Sequence, residues 1–317
     1  MAQQNKPQIL ITGAGGELAH RVAEKLKKNY DLIGVDFRDD SHYDDELVKY
    51  RLDFSKRGFE EVFRHHEFEG ILHLGRLRMT QKDRFKRYNV NVLGTQRLLE
   101  LGRKYGVNHS LVLSTYHVYG AHPYNPSLID ESFPMKAANW SSELVDGVEL
   151  ENLVAINMLR HRRSRVTILR PCNVIGPGVK NQISGLLSQK KAPVISGYAP
   201  LMQFIHVEDL AEAIAKAYST NHPGIYNVAT EDWIPYTRAL ELAGCETFSI
   251  PSVPPLLTRR ICSVMKIKNL PPHMVNYFKY PIILESSLFN KTFHFEPKYT
   301  LDEMFGYYRG LKSNQKD

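Results

Sequence analysis

Cysteine is scarce: three in 317 residues, Cys172, Cys245 and Cys262, scattered and never spaced as Cys-x-x-Cys. That excludes a disulfide framework and points to a reduced, cytoplasmic protein. No run of eighteen apolar residues occurs, so no membrane-spanning helix is expected. Met1-Ala2-Gln3-Gln4-Asn5-Lys6-Pro7 leads straight into a strand and lacks the apolar stretch of a signal peptide. His-Glu-x-x-His is missing, and the histidines, His65-His66 included, have no metal-ligand spacing, so no metal is expected. Gly-x-Ser-x-Gly is missing too, which removes the nucleophile-elbow hydrolases. Internal repeats and low-complexity segments are absent.

What is present is an ordinary globular mixture, 43% hydrophobic and 24% charged, enough for one principal domain with a smaller attachment. The formal charge is +7. Basic clusters stand at Lys25-Leu26-Lys27-Lys28, across Arg76 to Arg87, and at Arg160 to Arg165. These fall mostly at helix ends, where cations suit the macrodipole, so nucleic acid is not an expected partner.

Apolar runs alternate with helical periodicity through the first two-thirds of the chain. Strands are predicted at Gln8 to Thr12, Asp31 to Asp36, Gly70 to Leu74, Ser110 to Ser114 and Val166 to Arg170. Helices are predicted at Glu17 to Lys28, Phe59 to Glu67, Phe85 to Tyr105, Ser142 to Leu159 and Asp209 to Tyr218. This alternation gives an α/β fold, a Rossmann-type doubly wound parallel sheet over residues 1–175, with segments around 203–230 returning to it. Residues 176–317 are read mostly as a smaller substrate lobe. Six prolines between Ile250 and Pro281 rule out long regular elements there.

The first turn reads Thr12-Gly13-Ala14-Gly15-Gly16-Glu17-Leu18-Ala19. Gly13 permits a tight turn, Gly16 lets backbone approach a pyrophosphate, and Ala19 lets the helix pack closely on the sheet. Asp36 ends the second strand, where a carboxylate accepts from the adenosine ribose hydroxyls and repels a 2′-phosphate. NAD is therefore expected over NADP, although Arg38 close by could neutralise such a phosphate.

Taken together, these and further motifs resemble the extended short-chain dehydrogenase/reductases of the sugar-nucleotide epimerase/dehydratase type, from about Gln8 to Ala229 with a weaker tail to Tyr307. Asp53-Phe54 resembles the adenine-contacting pair after the third strand. His73-Leu74-Gly75-Arg76-Leu77-Arg78 stands where the family has a loop over the cofactor. Asn91-Val92-Leu93-Gly94-Thr95, Leu113 to Gly120, Leu169 to Gly178 and Phe204 to Ala211 resemble further signatures. The resemblance implies dinucleotide contacts from Gly13, Gly16, Glu17, Leu18, Asp36, Phe37, Arg38, Asp53, Phe54, Leu74, Gly75, Arg76, Arg78, Asn91, Ser114 and Pro171. It places Thr115 at the family's substrate-binding hydroxyl, where an ordinary strand-end threonine is the competing reading.

Family catalysis uses Tyr and Lys four residues apart on one helix, the lysine lowering the tyrosine pKa and holding the nicotinamide ribose. With Glu151 matched to the family's later glutamate, those two places hold Glu143 and Gly147, and no Tyr or Lys lies between Ala137 and Arg160. Tyr308 and Lys312 have the right spacing but sit at the extreme C-terminus, which reads as coincidence. The dehydratases' Asp-Glu pair is replaced by Tyr116-His117. No arginine precedes Phe204 in Leu201-Met202-Gln203, where the family clamps a substrate diphosphate.

Three functions stay open. The first is an NAD-binding protein with a degenerate catalytic centre and low or altered activity. The second is an active oxidoreductase or epimerase using Tyr116, His117 or Glu143 as replacement groups on an unidentified small molecule, a sugar derivative by resemblance. The third is a cofactor-sensing regulatory or assembly protein. The resemblance also implies a homodimer built on the helices Phe85 to Tyr105 and Ser142 to Leu159, with Leu98, Leu101, Leu144, Val148 and Leu159 as candidate lining.

Overall fold

The computed structural model describes residues 6–37, 47–77, 83–139, 144–161, 163–252 and 271–313. Arg38, Arg78 and Glu143 lie outside them. The chain divides into two compact units, the first of residues 1–115, 143–170 and 211–226, the second of residues 116–142, 171–210 and 227–317.

The principal sheet has seven strands: β1 (Gln8–Thr12), β2 (Asp31–Asp36), β3 (Val48–Arg51), β4 (Phe68–His73), β5 (His109–Leu113), β6 (Arg165–Pro171) and β10 (Gly224–Val228), in the spatial order β10-β6-β5-β4-β1-β2-β3. From β3 through β6 each neighbouring pair is parallel. The apolar runs Ile9-Leu10-Ile11 and Ile71-Leu72 are buried, as strands of a sheet covered on both faces must be. The strand order reverses between β1 and β4, so the loops leaving these two strands flank the switch point where doubly wound sheets bind ligands. The predicted strands were found with their ends moved by a residue or two, while the short edge strand β3 was not predicted.

Helix α1 (Glu17–Leu26) follows β1, and α2 (Glu60–His65) precedes β4. The long helix predicted from Phe85 is interrupted: α3 (Arg84–Tyr88) runs through a π-helical turn at Asn89–Leu93 into α4 (Gly94–Lys104). Asp83 caps α3 by accepting from the Lys86 amide at 2.9 Å. Helix α5 (Val145–Arg160) starts three residues later than predicted and buries Asp146 and Glu151 along with Val148, Leu150 and Val154.

Two of these helices bear on the expected dimer face, and here the lining is corrected. Leu98 and Leu101 pack with Ile71 and Val107 in the core, and Leu144 and Val148 are buried as well. Only Leu159 of the five is exposed, joined by Phe85, Tyr88, Leu93 and Ile156. The leucines at helical spacing face the chain's own sheet, and the outer face is made by residues between them.

In the second unit, β9 (Leu201–His206) pairs parallel with β7 (Asn173–Ile175) and antiparallel with β11 (Trp233–Pro235). Strand β8 (Lys191–Ile195) pairs parallel with β12 (Glu246–Ile250). Helices α6 (Gln182–Leu187), α7 (Val207–Thr220), α8 (Tyr236–Leu242), α9 (Ser287–Phe293) and α10 (Leu301–Ser313) complete the α-helices of the described residues, α7 passing from the second unit into the first. Tyr308 and Lys312, both on α10, are structural. The buried Tyr308 hydroxyl meets the Gly176 amide at 3.1 Å and Ser184 Oγ at 2.7 Å. Lys312 Nζ donates to the carbonyls of Leu187 and Ala243, where α6 and α8 end and a cation is favoured by both dipoles. Among the described residues no helix is long and apolar enough to cross a membrane.

Candidate functional site

Gly13 leaves β1 with φ +73°, and a Cβ there would lie 2.4 Å from the Gly75 Cα. Gly75 is equally constrained, since its own Cβ would lie 2.7 Å from the Gly13 nitrogen. The loops after β1 and β4 thus touch backbone to backbone, which only two glycines allow. The Leu74 amide donates to the Thr12 carbonyl at 3.3 Å and ties the second loop to the first. Gly16 is the N-cap of α1, and no side chain caps that helix. Its first amides are therefore not taken by a capping side chain, with the positive end of the dipole behind them. Glu17 pairs with Arg21 at 2.6 Å on the same helix, and Leu18 is half-buried. A glycine-rich turn opening on a helix without a capping side chain fits a dinucleotide pyrophosphate.

Asp36 is buried at the end of β2, and its Oδ2 accepts from the Gly15 amide at 3.0 Å. The acid thereby also fixes the glycine turn. Phe37 beside it is exposed. Asp53 Oδ1 accepts from the amide and hydroxyl of Ser55, at 2.9 and 2.6 Å, and so closes a turn. The Phe54 ring lies in the core, edge-on to His73 with centroids 5.2 Å apart.

His73 is the centre of a buried relay that the sequence reading did not anticipate. Its Nδ1 lies 2.7 Å from Thr12 Oγ1 and its Nε2 2.8 Å from Thr95 Oγ1. Thr95 donates to the Asn91 carbonyl at 2.6 Å, so it accepts from Nε2–H, and Nδ1 then accepts from Thr12. Burial, reinforced by the positive charge of Arg76, pushes the His73 pKa down to about 3. The imidazole is therefore neutral, and it joins β1, β4 and α4 beneath the glycine turn.

Asn91, on the π-helical turn, spends its amide on structure. It accepts from the Leu77 amide at 2.8 Å and donates to the Leu77 carbonyl at 3.0 Å and to Asp146 Oδ2 at 2.7 Å. The same carboxylate takes Arg87 Nε at 3.0 Å, with both partners buried. One turn further along α5, Glu151 Oε2 receives the Arg170 fork at 2.6 and 2.9 Å, and Oε1 receives the Ser114 hydroxyl. Two buried carboxylates thus anchor α5 to α3, to β6 and to Ser114 just after β5. Ser114, one of the expected cofactor residues, donates its hydroxyl to Glu151 Oε1, and its carbonyl accepts from Arg76 Nη2 at 3.0 Å. Pro171, the last residue of β6, is buried.

Thr115 follows β5, and beyond it a 3₁₀ turn spans Tyr116–Tyr119. Burial pushes the Tyr116 phenol well above its ordinary pKa, and the hydroxyl donates to Asn173 Oδ1 at 2.8 Å. A tyrosine acting as general acid or base near neutral pH needs the opposite shift. His117 packs its ring against Tyr116 and Tyr277, with centroids 4.1 and 4.8 Å away, and its carbonyl accepts from the Tyr277 hydroxyl at 2.6 Å. Gly147 lies in the first turn of α5 between Asp146 and Val148 and presents no side chain. Among the described residues no group of three or more His, Cys, Asp or Glu side chains could hold a metal.

Sequence reasoning missed Asp146, Arg87, Arg170 and the two threonines that flank His73. The one signal for the three ionisable residues was charge at positions that helical and strand periodicity assigned to the interior, and the threonines gave none.

An uncharacterised protein of Mycobacterium tuberculosis is 24% identical over 314 residues, spanning 95% of this chain and 83% of its own. The UDP-glucose 4-epimerase of Bacillus subtilis is 25% identical over 264 residues, spanning 70% of this chain and 77% of its own. Among solved structures, the UDP-glucose 4-epimerase of Thermotoga maritima with UDP-glucose superposes with a TM-score of 0.77 at 18% identity, covering 98% of this chain and 100% of the other. The model of the NAD dependent epimerase/dehydratase family matches residues 9–229, from the first strand through the segment after β10. The chain belongs to the NAD dependent epimerase/dehydratase family.

Proposed function

We propose that this chain holds NAD at the turn between β1 and α1 and has a degenerate catalytic centre, with low or altered epimerase or oxidoreductase activity. Bound NAD supplies a hydride acceptor and donor. The chain's own part begins with the uncapped N-terminus of α1, which receives the pyrophosphate against Gly13, where any larger residue would strike Gly75. Asp36 receives the adenosine ribose hydroxyls and disfavours a 2′-phosphate, the basis for NAD over NADP. Thr115 offers a hydroxyl to a substrate oxygen.

The observation that carries the reading is Gly147. It sits on a helix anchored through Asp146 and Glu151, at the position where the resemblance sets the family's lysine. Proton exchange at a substrate hydroxyl needs a group whose pKa lies near the working pH. Tyr116, held above its ordinary pKa by burial, does not meet that need.

The test is calorimetric titration with NAD and NADP, together with turnover assays on UDP-glucose and UDP-galactose. Tighter binding of NAD than NADP, with little or no interconversion of the sugars, is expected. Absence of binding to either dinucleotide, or epimerisation at an ordinary enzymatic rate, overturns the proposal. The same reading extends to a homodimer, with a second copy covering the apolar residues exposed on α3 and α5, Phe85 and Leu159 foremost.

A further inference from the structure

Arg76 stands three residues beyond the end of β4, on the loop that rests against Gly13. Its guanidinium reaches across the end of β5 and donates to the carbonyl of Ser114, the residue before Thr115. The carboxylates whose field it feels are Asp146 and Glu151, which bracket Gly147 on α5. The arginine is thus within electrostatic reach of the helix turn where the resemblance sets the family's lysine and this chain has glycine.

Neither carboxylate depends on Arg76 for compensation. Asp146 is bound by Arg87 and Asn91, and Glu151 by Arg170 and Ser114. Arg76 is thus a third guanidinium in the field of carboxylates that already have arginine partners. Arg76 is half-buried, and a guanidinium held partly out of water gains from a polar partner for each of its N–H groups. Its one hydrogen bond to a described residue goes to Ser114, so further N–H donors of the fork remain for a ligand.

We infer that Arg76 replaces the missing lysine as the grip on the nicotinamide-side ribose of the bound dinucleotide, delivered from the loop after β4 instead of from α5. The inference rests on the dinucleotide reading above. Guanidinium donors suit paired ribose hydroxyls as well as an ammonium does, and the group stays charged at every physiological pH. Binding is thereby kept while the tyrosine that used the lysine's charge is absent. Arg76 is assigned to holding the ligand, not to proton transfer.

ADP and ADP-ribose separate this role from pyrophosphate binding, because they differ in the distal ribose. Their affinities are measured by calorimetry for the wild type, Arg76→Met, Arg76→Lys and the double variant Arg76→Met with Gly147→Lys, with thermal melting as the folding control. Arg76→Met is expected to weaken ADP-ribose about tenfold or more and to leave ADP within about twofold. Arg76→Lys should fall between, and Gly147→Lys should recover ADP-ribose binding by returning a cation to α5. Equal weakening of both ligands by Arg76→Met would assign the cation to the pyrophosphate and overturn the inference. Unchanged ADP-ribose affinity in a folded Arg76→Met would overturn it as well. A wild type that binds neither ligand refutes the dinucleotide site itself, an outcome distinct from the other two.

Discussion

The neutral, buried His73 makes acid stability a quantitative test of the site's foundation. Its folded pKa of about 3 lies below the unfolded value, so protons bind preferentially to the unfolded chain. The associated stability is fully present above pH ~6.5, the ordinary histidine value, and is lost as pH falls from there toward the folded pKa. Between pH 7 and pH 5 the linkage integral for one such group is about 2 kcal/mol. His109, stacked on Tyr218 and pushed down to about 4 by burial and by Arg165, adds a loss of the same sign. Comparison with His73→Asn cancels the His109 contribution. Urea unfolding at the two pH values, followed by far-ultraviolet circular dichroism, should show the wild type losing about 2 kcal/mol more than the variant. The variant itself should be less stable at pH 7, because Thr12 and Thr95 lose their shared partner. Parallel losses in the two proteins would refute the buried neutral imidazole and the relay built on it.

Gly13→Ala should lower stability by about 2–4 kcal/mol, because the new Cβ meets Gly75 backbone and φ is +73°. A thermal melting temperature unchanged from the wild type would contradict the backbone contact. Asp146→Ala withdraws a carboxylate from the buried Arg87 and should cost about 3–5 kcal/mol, read as a lower urea midpoint. A second change, Arg87→Met, should restore part of that loss, and failure to do so would show that the pair is not what anchors α5. If a second copy covers α3 and α5, Phe85→Asp with Leu159→Asp should convert the dimer to a monomer in light scattering, both side chains being at least 80% exposed in the single chain. A monomeric wild type would end that proposal.

The sheet was legible because its strands are short apolar runs separated by amphipathic helices, a period that changes audibly along the chain from Gln8 to Arg170. The glycine turn was legible because Gly13 and Gly16 answer a backbone requirement, and such requirements are local. Strand β3 was not, since Val48–Arg51 is short, carries Lys49 and Arg51, and lies at the sheet's edge, where alternation is weak. The π-helical turn escaped for another reason: Asn89–Leu93 has the same apolar spacing as its flanks, and only the inward amide of Asn91 marks it. Non-local pairs were invisible in principle. Nothing near Asp146 in the sequence announces Arg87, and nothing near Glu151 announces Arg170.

On the proposed reading, those two pairs also explain how α5 keeps its place with glycine at position 147. A helix held only by its catalytic side chains' surroundings would be free to drift once Tyr and Lys were replaced. Here the anchoring lies at Asp146 and Glu151, whose arginine partners sit on α3 and β6, so replacement at position 147 leaves the attachment intact. Removing one member of such a buried pair is strongly destabilising, whereas removing an ammonium near water is nearly neutral. Substitution therefore falls more easily on the chemistry than on the frame. With the frame fixed and glycine at position 147, the guanidinium on the loop after β4, hydrogen-bonded to the Ser114 carbonyl, is the cation that we infer takes the lysine's part.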